Sequence, residues 1–339
     1  MSAIVAIRLR AMGDVVLTTP AFASLAAGHP DDELHVVTES RFAPLLSGLP
    51  FIHKVWGIER STSSTLQAGL ALRRLAPKLA VDFFGNSRSA FLARSAKVAG
   101  ATKVFGYALR GREHAYDVTV PRELRGPHDA REHASAVHLR LACAAGGAEV
   151  PLTPRVALDP AAVTQAQALL ASAGVRDTTR AVGIVAAGSW PTKMWPVSHS
   201  AVLARELMAA GHEVLVISGP GEEALTRRLV AHAVGVRVLP PCGVAALAAV
   251  IAKLRAVVGT DSGPRHLAAA FGVPSFAWFG PTHPATWNPP GAMHGFWRTS
   301  LPCRGCDLTR CAHWSCLPGL DPAQGAALVL AHLAAHARA

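Results

Sequence analysis

Residues 257–287 read VVGTDSGPRHLAAAFGVPSFAWFGPTHPATW. A short apolar run enters the polar corner Asp261-Ser262-Gly263-Pro264. RHLAAAFG then has helical composition and stops at Gly272, and SFAWFG (275–280) is a second apolar run. Strand, tight corner, helix and strand within about thirty residues make the βαβ unit of a parallel sheet. Asp261 or Ser262 at the helix start, Pro264 early in it and Gly272 past its end suit plain capping. The same corner suits an anion, because first-turn N–H groups are unpaired and the helix end carries a positive field.

Outward from this corner the alternation continues. On the N-terminal side, residues 181–188, 212–219, 236–241 and 256–261 read as strands, with helices over 161–174, 199–211, 221–233 and 243–255. A similar series occupies the first half. Strands are expected at 4–9, 33–39, 79–85 and 103–107, and helices at 15–28, 87–100 and 131–146, with Pro20 expected to kink or interrupt the first. Segment 108–160 is less regular, and the Pro-punctuated PLTPRVALDP (151–160) reads as a connection. The fold class expected is α/β, two Rossmann-like domains (1–160 and 161–339) facing a cleft, with ligands beyond the carboxyl ends of the strands.

Composition narrows the function. The chain has 339 residues, half of them hydrophobic, enough for two cores. No apolar run reaches the roughly 20 residues of a membrane span. The start, MSAIVAIRLRAMGD, lacks a secretory layout and reads as a first strand, so a cytoplasmic protein is expected. The net charge of +11 implies an acidic partner. Between Lys54 and Arg112 eleven Lys or Arg face two acids, Glu59 and Asp82, a local excess of nine. A phosphorylated substrate, anionic lipid or nucleic acid could meet that face, as could solvent alone.

Three corners at strand ends in the second half share one chemistry. Beside Asp261-Ser262-Gly263 stand AAGSWPTKMWP (186–196), where Gly188 and Ser189 leave a strand and Lys193 follows, and SGPGEEALTRR (218–228). Each alone is ordinary capping; three together favour a nucleotide site, with Lys193 adding a charge for a diphosphate. SGPGEEA imitates a dinucleotide fingerprint, but Glu222 and Glu223 would repel a pyrophosphate there, which argues against a nicotinamide oxidoreductase. Carboxylates suit ribose hydroxyls better. In the first half Asp14 follows the first strand and reads either as a helix cap or as a general base for a hydroxyl.

IRLRAMGDVVLTTP (7–20), KMWP (193–196) and GTDSGPRHLAAAFGVPSFAWFGPTHPATWNP (259–289), in this order, resemble glycosyltransferase family 9, which contains the ADP-heptose:lipopolysaccharide heptosyltransferases. The resemblance implies the GT-B fold, an acceptor held by the N-terminal domain, a nucleotide sugar held by the C-terminal one, and inversion without a catalytic metal. It matches Asp14 to the base, with Arg10 and Gly13 beside it on the acceptor side. It matches Ser189 and Lys193 to the phosphate-binding pair, Glu222 to the ribose carboxylate and Cys242 to the approach to adenine. Asp261 matches the contact to sugar hydroxyls, Ser262 and Gly263 the backbone donors to phosphate, and His266 a neighbour of the donor. Gly188 stands where many relatives carry a second hydroxyl residue, and Ser262 replaces a frequent Thr. His266 is one of 16 histidines, on a helix of small apolar residues, and only the match singles it out.

Four of six cysteines, Cys303, Cys306, Cys311 and Cys316, lie within CRGCDLTRCAHWSC. A CxxC pair followed by two more thiols suits a structural Zn or Fe, and equally four free thiols in a tight loop. The reading is an inverting heptosyltransferase using ADP-heptose and the lipopolysaccharide inner core, with peripheral contact at the inner membrane face. Its rivals are another nucleotide sugar or a non-lipid acceptor, and a non-catalytic nucleic-acid binder. The basic cluster lacks interleaved aromatics and no recognition module appears, so nucleic acid is not expected.

Overall fold

The computed structural model describes residues 2–122 and 131–336. The chain divides into two compact units, Met1–Asp159 and Pro160–Ala339. The first runs β1 (Ala3–Ile7), α1 (Met12–Gly28), β2 (Glu33–Glu39), β3 (Lys54–Ile58), α2 (Thr62–Leu75), β4 (Leu79–Asp82), α3 (Ser87–Val98), β5 (Lys103–Tyr107), β6 (Val118–Val120) and α4 (Ala134–Ala144). Its six strands lie in the order β3-β2-β1-β4-β5-β6, every pair parallel. Helices α1 and α4 pack together, as do α2 and α3. The AIVAI run of β1 is buried throughout, as a central parallel strand covered on both faces requires.

The second unit runs α5 (Pro160–Ser172), β7 (Ala181–Val185), α6 (Val197–Ala209), β8 (Glu213–Val216), α7 (Glu223–His232), β9 (Arg237–Val238), α8 (Val244–Lys253), β10 (Ala256–Thr260), α9 (Gly263–Ala270), β11 (Ser275–Phe279), α10 (Pro284–Trp287), β12 (His294–Arg298) and α11 (Pro322–Ala335). Its strands follow β12-β11-β10-β7-β8-β9, again all parallel. Ile184, Trp195, Val258, Trp278 and Val329 belong to its core. The Trp195 and Trp278 rings lie 4.2 Å apart, so the tryptophan of KMWP is packing rather than chemistry.

Local chemistry sets the element ends. Asn86 accepts from Ser89 N–H while Ser89 Oγ accepts from Asn86 N–H, a reciprocal cap for α3. Ser61 and Asp321 cap α2 and α11 through the N–H groups of Ser64 and Gln324. Pro20 does not interrupt α1, which runs unbroken from Met12 to Gly28. A proline withholds the N–H that would bond the carbonyl four residues back, Val16. The Thr19 hydroxyl takes that carbonyl instead, at 2.7 Å.

Both sheets have the doubly wound order, in which the chain reverses direction between two central strands. That switch point lies between β1 and β4 in the first unit and between β7 and β10 in the second. The residues following these four strands therefore occupy the site-forming positions of each sheet.

Candidate active site

In the second unit the switch point gathers Gly188, Ser189 and Lys193 after β7 with Asp261, Ser262, Gly263 and His266 after β10. Close approach of the two strand ends requires glycine at 188, where a Cβ would lie 2.7 Å from Thr260 Cγ2. Lys193 ends the 3-10 turn Pro191–Lys193, and its Nζ meets Asp261 Oδ2 at 3.0 Å. Thr282, just past β11, donates its hydroxyl to the same oxygen at 3.0 Å. Asp261 is only 2% exposed. Burial alone pushes its carboxyl up, but the Lys193 ammonium, with His266 and Arg265 beside it, brings it below the usual carboxylate range. An ion pair with a shared hydroxyl thus stands at the centre of the site.

The capping reading of the Asp261-Ser262 corner is not what the structure adopts. Asp261 turns to Lys193 and Thr282, and Ser262 Oγ donates to Thr260 O at 3.1 Å, so no side chain caps α9. The first-turn N–H of Gly263 stays aimed out of the helix start with the positive end of the helix behind it. Arg265, 1% exposed, lies under this turn and donates to Asn288 Oδ1 and Gly295 O; burial lowers it to about 10, against the pull of Asp261. It adds fixed positive charge beneath the site.

Glu222 and Cys242 follow β8 and β9, on the same carboxyl edge. Glu222 opens α7 and its carboxylate accepts from Gly219 N–H at 2.7 Å. Cys242, half-buried, has its thiol pushed up by burial and behaves as an un-ionised apolar contact.

In the first unit Asp14 occupies the first turn of α1. Its Oδ1 lies 2.7 Å from Arg8 Nη2 and its Oδ2 accepts from Ala11 N–H at 3.3 Å. The capping role is therefore partly real, and a buried guanidinium orients the carboxylate as well. Arg8 also donates to Phe83 O, which follows β4 across the switch point. Gly13 is buried beneath Asp14 and Arg10 is exposed beside it. Two further acids close this edge. Asp82 is fully buried and accepts from Phe84 N–H, Gly85 N–H and Tyr116 OH, with burial raising its carboxyl. Glu39, ending β2, is 3% exposed beside Arg41 at 2.8 Å, Arg88 at 3.5 Å and Arg60 at 3.7 Å. Three guanidinium groups around one carboxylate leave an excess of positive charge at this corner.

Sequence reading missed Arg8, Thr282, Glu39 and Arg41, while Arg60 and Arg88 were counted only within the Lys54–Arg112 basic cluster. Arg8 stood in the quoted RLRAMGD and Thr282 in GPTHP; only the fold shows that they touch Asp14 and Asp261.

The four clustered thiols are not drawn together. Cys303, Cys306 and Cys311 are exposed and Cys316 is half-buried. Among the described residues no three of their sulfurs lie within 4.8 Å of one another. The chain leaves Cys306 through Asp307 in the left-handed region, at φ 55°. Burial raises the Cys316 thiol, and charge at Cys303 and Cys306 adds to the rise. The donor atoms suit Zn or Fe, but their spacing here does not. Among the described residues one group of ligand-type side chains does converge, Glu33, His35 and His53, at the opposite edge of the first sheet. There Trp56 Nε1–H donates to His35 Nδ1 at 3.0 Å. The neutral His35 proton then sits on Nε2, the atom an ion would need, so the group reads as a glutamate shared by two histidines.

Two all-parallel units of this strand order, each with ionic chemistry at its switch point, define a protein of the GT-B glycosyltransferase class. The chain belongs to glycosyltransferase family 9 (heptosyltransferase), whose model matches residues 67–312. It is 27% identical over 319 residues to lipopolysaccharide heptosyltransferase 1 of Pseudomonas aeruginosa, covering 91% of this chain and 86% of that protein. It is 25% identical over 311 residues to lipopolysaccharide heptosyltransferase 3 of Escherichia coli, 85% and 87% of the two chains. Its fold is similar to that of the family 9 glycosyl transferase of Veillonella parvula, with a TM-score of 0.84, 19% identity and coverage of 99% and 98%. The E. coli ADP-heptose lps heptosyltransferase II gives a TM-score of 0.79 at 19% identity, over 98% of each chain. No helix among the described residues is long and apolar enough to cross a membrane.

Proposed function

We propose that the chain transfers heptose from ADP-heptose to the inner core of lipopolysaccharide, with inversion and without a catalytic metal. The observation that carries this reading is the Lys193–Asp261 pair at 3.0 Å, beside the side-chain-free start of α9. The donor belongs to the second unit. Its diphosphate takes Lys193, Ser189 and the backbone N–H groups at Gly188, Ser262 and Gly263. Glu222 takes the ribose hydroxyls, Cys242 lies against adenine, and Asp261, with His266 near it, takes sugar hydroxyls. Arrival of the diphosphate exchanges the Lys193 contact from Asp261 to phosphate, freeing an Asp261 oxygen for the sugar.

The acceptor belongs to the first unit. Asp14, with Arg10 and Gly13 beside it, accepts the proton of the acceptor hydroxyl as that oxygen forms its bond to the anomeric carbon. The bond from that carbon to the diphosphate oxygen breaks, and the leaving charge falls on Lys193 and the α9 start. Preorganised donors at developing charge are usually the largest catalytic contribution. The arginines around Glu39 suit an anionic acceptor.

The acceptor's lipid places the enzyme at a membrane face, in the cytoplasm. Supporting this, Leu66 and Leu70 of α2 and Phe91 and Val98 of α3 are exposed, with Arg73, Arg74 and Arg94 interspersed. The two helices meet closely at Gly69, where a Cβ would lie 2.9 Å from the Phe91 ring. A structural Zn or Fe at Cys303, Cys306, Cys311 and Cys316 is a separate proposal, outside the transfer chemistry; it requires the exposed thiols to close on Cys316.

The test is turnover of a nucleotide-sugar panel against a core acceptor, with thermal shifts by the free nucleotides. Ligand binding to the folded state raises its stability by RT ln(1 + [L]/Kd). ADP should raise the melting temperature more than UDP, GDP or CDP. Equal shifts from all four remove the ADP assignment, and turnover of a different sugar replaces the heptose.

A further inference from the structure

From Thr299 to Leu320 the chain has neither helix nor strand. Irregular segments longer than about 12–15 residues inside a compact unit usually carry a function. The contacts of this one converge on the two sides of the Lys193–Asp261 pair. On the lysine side, Thr192 is buried and donates its hydroxyl to Leu308 O at 2.7 Å, while Trp314 Nε1–H donates to Thr192 O at 3.1 Å. The residue preceding Lys193 is thus held by both its side chain and its carbonyl. On the aspartate side, Gly305 N–H donates to Gly280 O at 2.9 Å and Asp307 N–H to Pro281 O at 2.8 Å. The next residue is Thr282, the hydroxyl partner of Asp261. Cys316 closes against the same strand end, its Sγ 2.7 Å from where a Cβ on Gly280 would stand.

We propose that the cysteine-rich loop is a two-sided brace for the donor site, with Thr192 and Trp314 as positioning residues that act through Lys193. The proposal rests on the reading of Lys193 as the donor-diphosphate lysine. The turn Pro191–Lys193 is three residues long and is closed by two backbone bonds, Lys193 N–H to Trp190 O at 3.1 Å and Met194 N–H to Pro191 O at 3.2 Å. A lysine on so short a turn owes its direction to what holds the turn. Three rotatable donors on a flexible stem reach a diphosphate with least ordering cost when the backbone below is fixed. The two bonds to Thr192 add to that fixation, and the two to Gly280 and Pro281 tie the position of Lys193 to that of Thr282 through one segment.

A double-mutant cycle on the full chain, read as ADP affinity by calorimetry, tests this. Thr192→Val keeps the shape and loses the hydroxyl, leaving Leu308 O unmet, and should weaken ADP about 10-fold. Thr192→Ser keeps the donor and should stay within about 2-fold of wild type. With Lys193→Ala already present, adding Thr192→Val should change ADP affinity by less than about 2-fold, because a residue acting through the lysine has nothing left to position. Trp314→Phe, which loses the N–H together with part of the ring, repeats the cycle from the loop side should Thr192→Val fold poorly. Equal losses in both backgrounds mean general loosening of the unit and overturn the brace. No loss from Thr192→Val or Trp314→Phe, while Lys193→Ala weakens ADP, overturns the brace and leaves the lysine's role standing. An unchanged ADP affinity in Lys193→Ala alone removes the lysine from the donor site and the brace with it.

Discussion

Replacing Asp14 by Asn separates a proton acceptor from a helix-start residue, and the geometry sets what each role must cost. Asn keeps the size and can still accept from Ala11 N–H. It cannot balance Arg8, which is 1% exposed and 2.7 Å from the present carboxylate. The guanidinium would then keep one carbonyl partner, Phe83 O, and an Nε that already lacks one. Removing one member of a fully buried pair costs about 3–5 kcal/mol. Asp14 is 28% exposed and water reaches its side of the pair, so about 2 kcal/mol is the expected loss. For a unit of this size that lowers the melting temperature of the first unit by about 4–8 °C. Stability loss alone therefore cannot distinguish the two roles.

Rate can. A loss of about 2 kcal/mol from the usual 5–15 leaves the enzyme folded at 25 °C, so kcat reports the folded molecules. Loss of a general base lowers kcat about 100- to 10,000-fold. ADP affinity should stay near wild type, since Lys193, Glu222 and Asp261 are untouched. The assay is steady-state transfer at saturating donor, paired with a melting curve on the same sample. An Asp14→Asn enzyme that melts early but keeps more than about a tenth of wild-type kcat would falsify the base assignment. Its carboxylate would then be the counter-charge of Arg8 and nothing more.

Asp261→Asn should behave in the opposite way, weakening donor sugar and ADP through a misdirected Lys193 while kcat at saturation falls less; a selective kcat loss would refute this. His294 is held down to about 3 by burial, then by Arg265, and His138 well below the usual value by burial, then by Arg8. Both stay neutral when folded, so their stabilisation is whole above about pH 6.5 and fades as pH falls toward the folded values, at up to about 1.4 kcal/mol per pH unit for each. His294→Asn should flatten the acid side of the stability profile by about that slope, and an unchanged slope counts against the burial account. Reversing Arg73 and Arg74 to Glu should weaken binding to anionic liposomes and raise the acceptor KM at low salt, because each basic residue at such a surface contributes about 1 kcal/mol. No change in either quantity makes this an ordinary solvated face. Under the separate metal proposal, protein purified without chelator should carry about one Zn or Fe per chain, and elemental analysis showing no metal, with all four thiols freely titrating, would sink it.

The second unit was more legible in the sequence than the first, for a physical reason. Its strands AVGIV, EVLV, AVVGT and SFAWF are central and buried, so they read as continuous apolar runs bounded by Gly, Asp or Ser. Strand β3, KVWGI, is an edge strand opening with lysine, and α2 leaves Leu66 and Leu70 in solvent; neither shows the expected period, and residues 40–78 stayed unassigned. Strand β12 was missed for the same reason, lying at the edge with Phe296 exposed. Side-chain pairing was harder still. Lys193 and Asp261 could be named as site residues from their corners, but their mutual contact depends on β7 and β10 being neighbours. Nothing local in either stretch encodes that adjacency.

The two switch points solve different electrostatic problems with similar parts. In the first, a buried arginine fixes a carboxylate that remains partly open to water. A hydroxyl's proton can be delivered to such a group, and the arginine beneath limits its rotation. In the second, the carboxylate is the buried member and the lysine lies nearer solvent, 13% exposed. There the cation is the mobile partner, able to leave for an incoming anion, while Thr282 and the neighbouring positive charges keep Asp261 from standing uncompensated. A site that accepts a proton needs its carboxylate reachable; a site that receives a dianion needs its cation reachable. Exchanging the exposures of the two pairs would disable both tasks, and the member of each pair that water can touch supports the proposed acceptor role of Asp14 and donor role of Lys193.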